Sequence, residues 1–436
     1  MNKLWQKENT AVAAQVERFT IGKDLDFDLQ LARYDVQGSI AHVQMLGESG
    51  LMQPEQAATA IEGLKKIASE IEAGQFEIEP GVEDIHSQVE LLLTRRIGDI
   101  GKMIHSGRSR NDQVAVAIKL FLKDACLELK SELSKVFELL IEKSNQYKHI
   151  LIPGYTHLQV AMPSSVGLWL GAYAESLADD VSLLFTAYKM CNKNPLGSGA
   201  GYGSSFPLNR KRTTELLGFE TLHWNSVYAQ MSRGKTEKFV ANAIAAIAAS
   251  LARLSMDCCL YLSQNFGFIS FPEALTTGSS IMPHKKNPDV FELIRGKCNR
   301  LQSIPNELNL LLANLPSGYH RELQLTKEIL FPAIDTLMDC LQMTHLMMAE
   351  LQVKDNVIEE ERYRYIFSVE VLNQLVLDGV PFREAYQQVA AQIEQGDFRF
   401  SGTLRHTHEG SIGNLCNDEI VKSFREAMVL FEPNAQ

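Results

Sequence analysis

The sequence predicts an all-α protein, and three observations carry that expectation. Apolar residues recur at helical spacing over long runs. Several of those runs reach about 25 to 30 residues, beyond the ordinary helix mean of about 11 to 12. No run of alternating strands marks a sheet. The first seam is Val114, Ile118, Phe121 and Ala125, then Leu129, Leu133, Val136 and Leu140. A further long segment covers roughly residues 164–191. From Val240 the apolar positions are Val240, Ile244, Ile247, Leu251, Leu254, Cys258 and Tyr261, in steps of 4, 3, 4, 3, 4 and 3. The intervening Ala241, Ala243, Ala245, Ala246, Ala248 and Ala249 favour helix and let neighbours approach closely. The last long segment covers roughly residues 332–351, with Pro332 expected in its first turn, where a missing N–H is tolerated. Long helices with wide apolar faces read as a bundle, and such rods need partner helices along their length, often from other subunits.

The 436 residues are 45% hydrophobic, enough for a large core, and the length suits two to four domains of about 150 residues. Candidate boundaries near Gly107 and Lys354 divide the chain into 1–107, a central long-helix domain at 108–354, and 355–436. A net charge of −11 argues against sequence-independent nucleic-acid binding. It leaves room for a small anion held by a local cluster of Lys and Arg. The start, MNKLWQKENTAVAAQVERF, has no apolar run after a basic stretch, so no signal peptide is expected. No window approaches about 18 uninterrupted apolar residues, so no membrane span is expected either. Seven scattered cysteines without a CxxC pair fit reduced thiols in a cytoplasm.

Four segments combine polar density with the grammar of a helix start. In EDIHSQVE (Glu83–Glu90), Asp84 sits before an apolar helix and reads first as an N-cap. In HSGRSRNDQVA (His105–Ala115), Ser109, Asn111 and Asp112 open a long helix beside Arg108 and Arg110. Free N–H groups and the positive dipole end there can hold a carboxylate. In PGYTHLQVAMPSS (Pro153–Ser165), His157 lies in a turn before a helix. In GSSIMPHKKNPD (Gly278–Asp289), Asn287 can cap a helix with Pro288 at its first position, and Glu292 falls about one turn further in. Ser279, Ser280, Lys285 and Lys286 precede that cap. Lysines aimed at a helix N-terminus repel it unless a carboxylate sits between them, which points to an anion site. The loop LGSGAGYGSSFP (Leu196–Pro207) reads as a connector or an anion-binding loop, and no preceding strand supports a dinucleotide site.

Together these segments resemble the argininosuccinate lyases, of the fumarase/aspartase superfamily. GSSIMPHKKNPD looks like the superfamily signature, and HSGRSRNDQVA is close to the argininosuccinate lyase form. YTHLQ, EDIH and YHRELQ (Tyr319–Gln324) match in order and spacing, so the likeness spans nearly the whole chain. It implies elimination of argininosuccinate to arginine and fumarate, with no metal or organic cofactor. It also implies three domains around a central five-helix bundle, a 20-helix homotetramer core, and active sites built from three subunits. By the same resemblance Ser279 is the base and Lys285 supports its alkoxide. His157 serves the acid side, held by Glu292. Lys285 and Asn287 grip the fumarate-end carboxylates, with Ser109, Asn111 and Thr156 as further contacts. Asp84, Tyr319, Gln324 and Lys327 bind substrate, several of them at the arginine end.

The sequence departs from the family where the arginine half is recognised. His284 stands for a usual Gln, His320 for an Asn, and Asp24 for a Ser. MSRGKTEKF (Met231–Phe239) replaces a Ser-Asp-Arg-Asp segment, and the LWQK start is short. These changes leave open an argininosuccinate acylated on its amine, although Asp24 and Asp84 favour a free ammonium. A catalytically silent crystallin-like protein is the remaining alternative, and the intact His157, Ser279, Lys285 and Glu292 speak against it.

Overall fold

The computed structural model describes residues 14–432. The N-terminal stretch in which no signal peptide is expected, LWQK included, falls largely on residues 1–13 and to that extent lies outside them. The helices that position the site are α1 (Ala32–Glu48), α2 (Ile85–Ile97), α3 (Arg110–Gln146), α4 (Val166–Cys191), α5 (Lys235–Leu262), α6 (Asp289–Leu301), α7 (Ile304–Leu311), α8 (Leu325–Ala349) and α9 (Asn417–Val429). The fold is mostly helical, as the seams predict.

The seams are the core. Val240, Ile244, Ile247, Leu251, Leu254 and Cys258 on α5 are at most 1% exposed, and Tyr261 is half-buried. On α3, Ile118, Leu129, Leu133, Val136 and Leu140 are buried against the same cluster. Residues 226–262 are long and apolar enough by composition to cross a membrane, which the count of uninterrupted apolar residues did not anticipate. Their apolar seam is packed inside the bundle instead.

The rods alternate in direction. Lys119 near the start of α3 donates to Met190 O near the end of α4 at 2.9 Å, so α4 runs back along α3. Arg233, just before α5, donates to Leu323 O, just before α8, at 3.1 Å. At their other ends Ile269 and Val353 pair in a short ladder, so α5 and α8 run the same way. Between them α6 and α7 return, ending where Leu312 packs against Gly234 at the start of α5. The starts of α3, α5 and α8 therefore share one end of the bundle, the near end. Their C-terminal ends share the far end, where Tyr147 donates to Leu351 O at 3.3 Å.

Two expectations are corrected. Pro332 is not in a first turn: α8 begins at Leu325, and Pro332 sits inside it. Its ring removes the N–H that would bond Glu328 O, and packing along the rod holds the helix through that gap. The turn around His157 is flanked by strands, β1 (Leu151–Thr156) and β2 (Gln159–Ser165), paired antiparallel. Buried apolar residues fall into three clusters: one within 32–104, one along the bundle, and a small one around Leu372, Ala385, Val389 and Phe398. Helix α9 joins the bundle cluster, with Phe424 stacked on Phe137 at 3.7 Å.

Arg233 and Glu237 form an ion pair at 3.0 Å whose side chains are each 2% exposed. Removing one partner strands a buried charge, which typically costs about 3–5 kcal/mol. Glu237→Gln is expected to lower the unfolding free energy by an amount in that range, read as a lower denaturant midpoint at unchanged slope. An unchanged midpoint would show that the pair contributes nothing.

Candidate active site

The near end holds six of the predicted site residues. Asp84 caps α2 and accepts the Ser87 N–H at 2.8 Å. Arg110 bonds the other Asp84 oxygen and donates to Ser87 Oγ at 2.8 Å. Burial pushes the Asp84 carboxyl up, but His86, Arg110 and the Ser87 donors outweigh it and hold it below its ordinary value. Ser109 caps α3, accepting the Asn111 N–H at 3.3 Å, while Asp112 Oδ1 accepts the Ser109 N–H at 2.9 Å. This is a reciprocal capping box. Gln324 donates to Thr20 O at 3.0 Å, and Tyr319 lies half-buried one turn before it. Lys327 is buried in the first turn of α8 between Asp24, at 2.7 Å, and Asp28. The second Asp28 oxygen accepts the Ile85 N–H at 3.4 Å, which ties α8 to the start of α2.

The glycine-rich loop is a brace, and two of its donors are spent on a side chain. Gly197 and Gly199 both donate their N–H to Asp112 Oδ2 at 3.0 Å. Burial pushes the Asp112 carboxyl up to about 6 despite these donors. The Arg108 guanidinium is likewise engaged within the protein. It is buried and donates to Ser39 Oγ at 3.1 Å and Ile104 O at 2.7 Å.

The far end holds the rest. Thr156 pairs with Gln159, and His157 and Leu158 form the two-residue turn between them, at φ 54° and 58°. Both central residues of such a turn need positive φ, a position that usually goes to Asn or Gly. Strain of that kind tends to collect at functional sites. Both side chains are exposed. The signature segment forms a second hairpin, in which Thr277 pairs with Asn287 and Gly278 with Lys286, so residues 279–285 are its loop. Ser279 Oγ accepts the N–H groups of Met282 at 3.1 Å and Ile281 at 3.4 Å. Hydrogen bonds to an oxygen that becomes negative favour its ionised form. Lys285 and His284 are exposed, and Lys286 pairs with Glu273 at 3.3 Å. Asn287 is not the helix cap: α6 begins at Asp289, and the Asn287 amide instead faces Thr277 and Gly278 at 3.5 Å. Glu292 lies exposed in the first turn of α6. Arg295 on α6 reaches Met256 in the last turns of α5 at 2.9 Å, which fixes this segment at the far end. Among the described residues, no hydrogen bond or ion pair joins His157 to Glu292, or Ser279 to Lys285.

Rod length separates the two sets. Helix α3 has 37 residues, so it spans about 55 Å at about 1.5 Å per residue. Ser109 and Asn111 begin it, and Thr156 follows its end. Even folded straight back, the ten residues 147–156 recover at most about 33 Å, which leaves more than about 20 Å. The near-end and far-end residues of one chain therefore do not meet.

Sequence reasoning missed the roles of Asp112, Asp28 and the buried Asp35–His86 pair, which is 2.6 Å apart. Asp24 and Asp28 stand four residues apart, so they lie on one helix face, and that spacing was a usable signal. The partners of Asp112 lie 85 and 87 residues away and left no local trace.

Three histidines are held neutral by burial. His42 is driven well below its ordinary value by burial and Arg108, with its Nε2–H donated to Ser106 O at 2.8 Å. Burial, with Lys119 next, takes His223 down to about 3, and burial with Arg108 takes His105 to about 4. In the unfolded chain each protonates near 6.5, so the unfolded state gains protons first as pH falls. Stability is fully present above 6.5 and is lost below it, by about 2 kcal/mol for each fully buried histidine between pH 6.5 and 5. His86 offsets part of this. Burial opposes its charge, but Asp35 raises its value on balance, and that contribution is fully present below 6.5. The thermal midpoint is expected to drop between pH 7 and 5, and His223→Gln should flatten the drop. A flat wild-type profile would contradict this.

Residues 9–303 match the family model described as Lyase. The chain is 57% identical over 418 residues to the argininosuccinate lyase of Bacteroides fragilis, covering 96% of this chain and 93% of that one. It is also 57% identical over 429 residues to that of Parabacteroides distasonis, covering 98% and 96%. The chain belongs to the argininosuccinate lyases. A solved structure of EDDS lyase in complex with formate has the same fold, with a TM-score of 0.74 at 24% identity, over 97% of this chain and 91% of that one. The resemblance drawn from the five motifs thus identifies the family.

Proposed function

We propose that this chain catalyses the reversible elimination of argininosuccinate to arginine and fumarate, with sites shared between subunits of a homotetramer. The reaction rests on one observation: near full-length identity of 57% with argininosuccinate lyases. Ser279 is the base that takes the proton from the carbon next to a carboxylate. Its Oγ already accepts two N–H groups, which support the alkoxide the step needs. Charge then grows on that carboxylate, and Lys285 and Asn287 stabilise it. His157, with Glu292 of another chain, protonates the leaving guanidinium nitrogen. Ser109, Asn111 and Thr156 hold the succinate half, and Asp84, Tyr319, Gln324 and Lys327 bind substrate, several of them, Tyr319 included, at the arginine half.

Shared sites follow from the rod. Residues separated by more than about 20 Å in one chain serve one substrate only if different chains supply them. Apolar side chains left exposed on the bundle support the association: Met256, Leu293, Leu310, Met343 and Leu346. For domains at 1–107, 108–354 and 355–436, the clusters within 32–104 and around Leu372 support separate cores in the two outer segments, with α9 packed back on the central bundle. Seven free thiols support a cytoplasmic setting.

A second substrate keeps a place. Asp24 and Asp84, which would favour a free ammonium, are already paired with Lys327 and Arg110. An amine-acylated argininosuccinate would not need them unpaired. The deciding experiment measures fumarate absorbance with free and amine-acylated argininosuccinate side by side. Release from the free form is expected, and no release from either would refute the assignment.

A further inference from the structure

The loop between Leu196 and Pro207 is held firmly at its base and carries an exposed aromatic at its tip. At the base, Gly197 and Gly199 bond Asp112, and Gln230 donates to Ser198 Oγ at 3.1 Å and Gly199 O at 3.3 Å. Gly201 and Gly203 then take positive φ on either side of Tyr202, which is 74% exposed.

The surroundings of that loop are the two segments that carry the near-end site. The Tyr202 hydroxyl lies against Gly318, 3.5 Å from where a Cβ would stand there, immediately before Tyr319. Further along, the Phe206 ring and Leu208 pack on Gly107, at 3.4 and 3.0 Å from where its Cβ would stand, two residues before Ser109. Residues 202–208 thus bridge the Tyr319–Gln324 segment and the turn that opens α3. The arginine half of the substrate presents a flat cation on an apolar stem. An exposed tyrosine face is the group that takes such a shape, by stacking and cation–π attraction.

We propose that Tyr202 is a specificity-determining residue that covers the guanidinium-bearing half of the substrate beside the Gly318–Tyr319 turn. The inference rests on the placing of Tyr319 at the arginine half of the substrate under the proposed function. Tyr202 touches no group that moves a proton, so its contribution is to binding. Its loss should raise KM and leave kcat nearly unchanged.

The test uses the full-length protein with Tyr202→Ala and Tyr202→Phe. Fumarate release gives KM and kcat, and calorimetry gives the affinities for arginine and for fumarate separately. Tyr202→Ala should weaken argininosuccinate and arginine by roughly 3- to 30-fold, a range set by cation–π strength. Fumarate affinity should not move, Tyr202→Phe should behave as wild type, and sedimentation should show the same assembly for all three. Unchanged arginine affinity in Tyr202→Ala would overturn the proposal, as would a loss in kcat alone or a change of assembly that explains the loss. Failure of the wild type to release fumarate is a separate result. It would refute the assigned reaction, while the arginine affinities still decide on Tyr202.

Discussion

Ser279→Ala should reduce fumarate release by about 10²- to 10⁴-fold, the usual contribution of a positioned general base. The loss should fall on kcat more than on KM, because the hydroxyl acts on a proton that moves only in the transition state. Stability should not change, since Ser279 lies in an exposed hairpin loop and bonds only the N–H groups of its own turn. Ser280→Ala is the internal control, being next in sequence and exposed, and should stay close to wild type. Two outcomes would remove Ser279 from the mechanism. One is a Ser279→Ala enzyme within a few-fold of wild type. The other is a loss recovered by raising substrate, which would mean that the residue only binds.

The second large effect requires two inactive proteins. Asn111→Leu damages only the near end, and Ser279→Ala only the far end. Each pure variant should be nearly inactive. When the two are unfolded together and reassembled in equal amounts, some pockets receive an intact near end from one chain and an intact far end from another. Random assembly of a closed homo-oligomer makes that fraction roughly a quarter, so roughly a quarter of wild-type turnover should return. A mixture no better than its components would mean that each chain builds its own site, against the 55 Å estimated for α3. Mixing two far-end variants, Ser279→Ala and Glu292→Gln, is the informative comparison. Recovery there would show that even the far-end groups come from different chains.

The long rods were legible because a seam of 3- and 4-residue steps has one structural meaning when sustained over about five to seven turns. Val240 to Cys258 needed no tertiary information to be placed in a core. Local grammar failed where two local rules competed. Asn-Pro-Asp reads as a helix cap, but Asn287 was drawn into the hairpin with Thr277, and the helix began two residues later. Pro332 read as a first-turn residue because proline is costly elsewhere, yet α8 extends seven residues before it. The two prolines of PGYTHLQVAMPSS hid a hairpin that sets them opposite each other, beside a break in register between Pro153 and Tyr155. The identities of the site groups came from motif resemblance, and their separation was implicit in the length of one helix. Which side chains they bond was not legible. The Lys327 to Asp28 contact spans 299 positions, and nothing near either residue announces the other.

Asp112 joins two things usually treated as independent. Its one oxygen completes the cap of a 37-residue helix, and the other holds the loop that begins at Leu196. The posture of that loop is therefore inherited from the integrity of the rod's first turn. Fraying there would unfasten a segment some 85 positions away in the chain, and a molecule that repositions the loop would report on the helix start. A single acid-to-amide exchange at residue 112 touches both at once, so the two cannot drift apart by separate small substitutions.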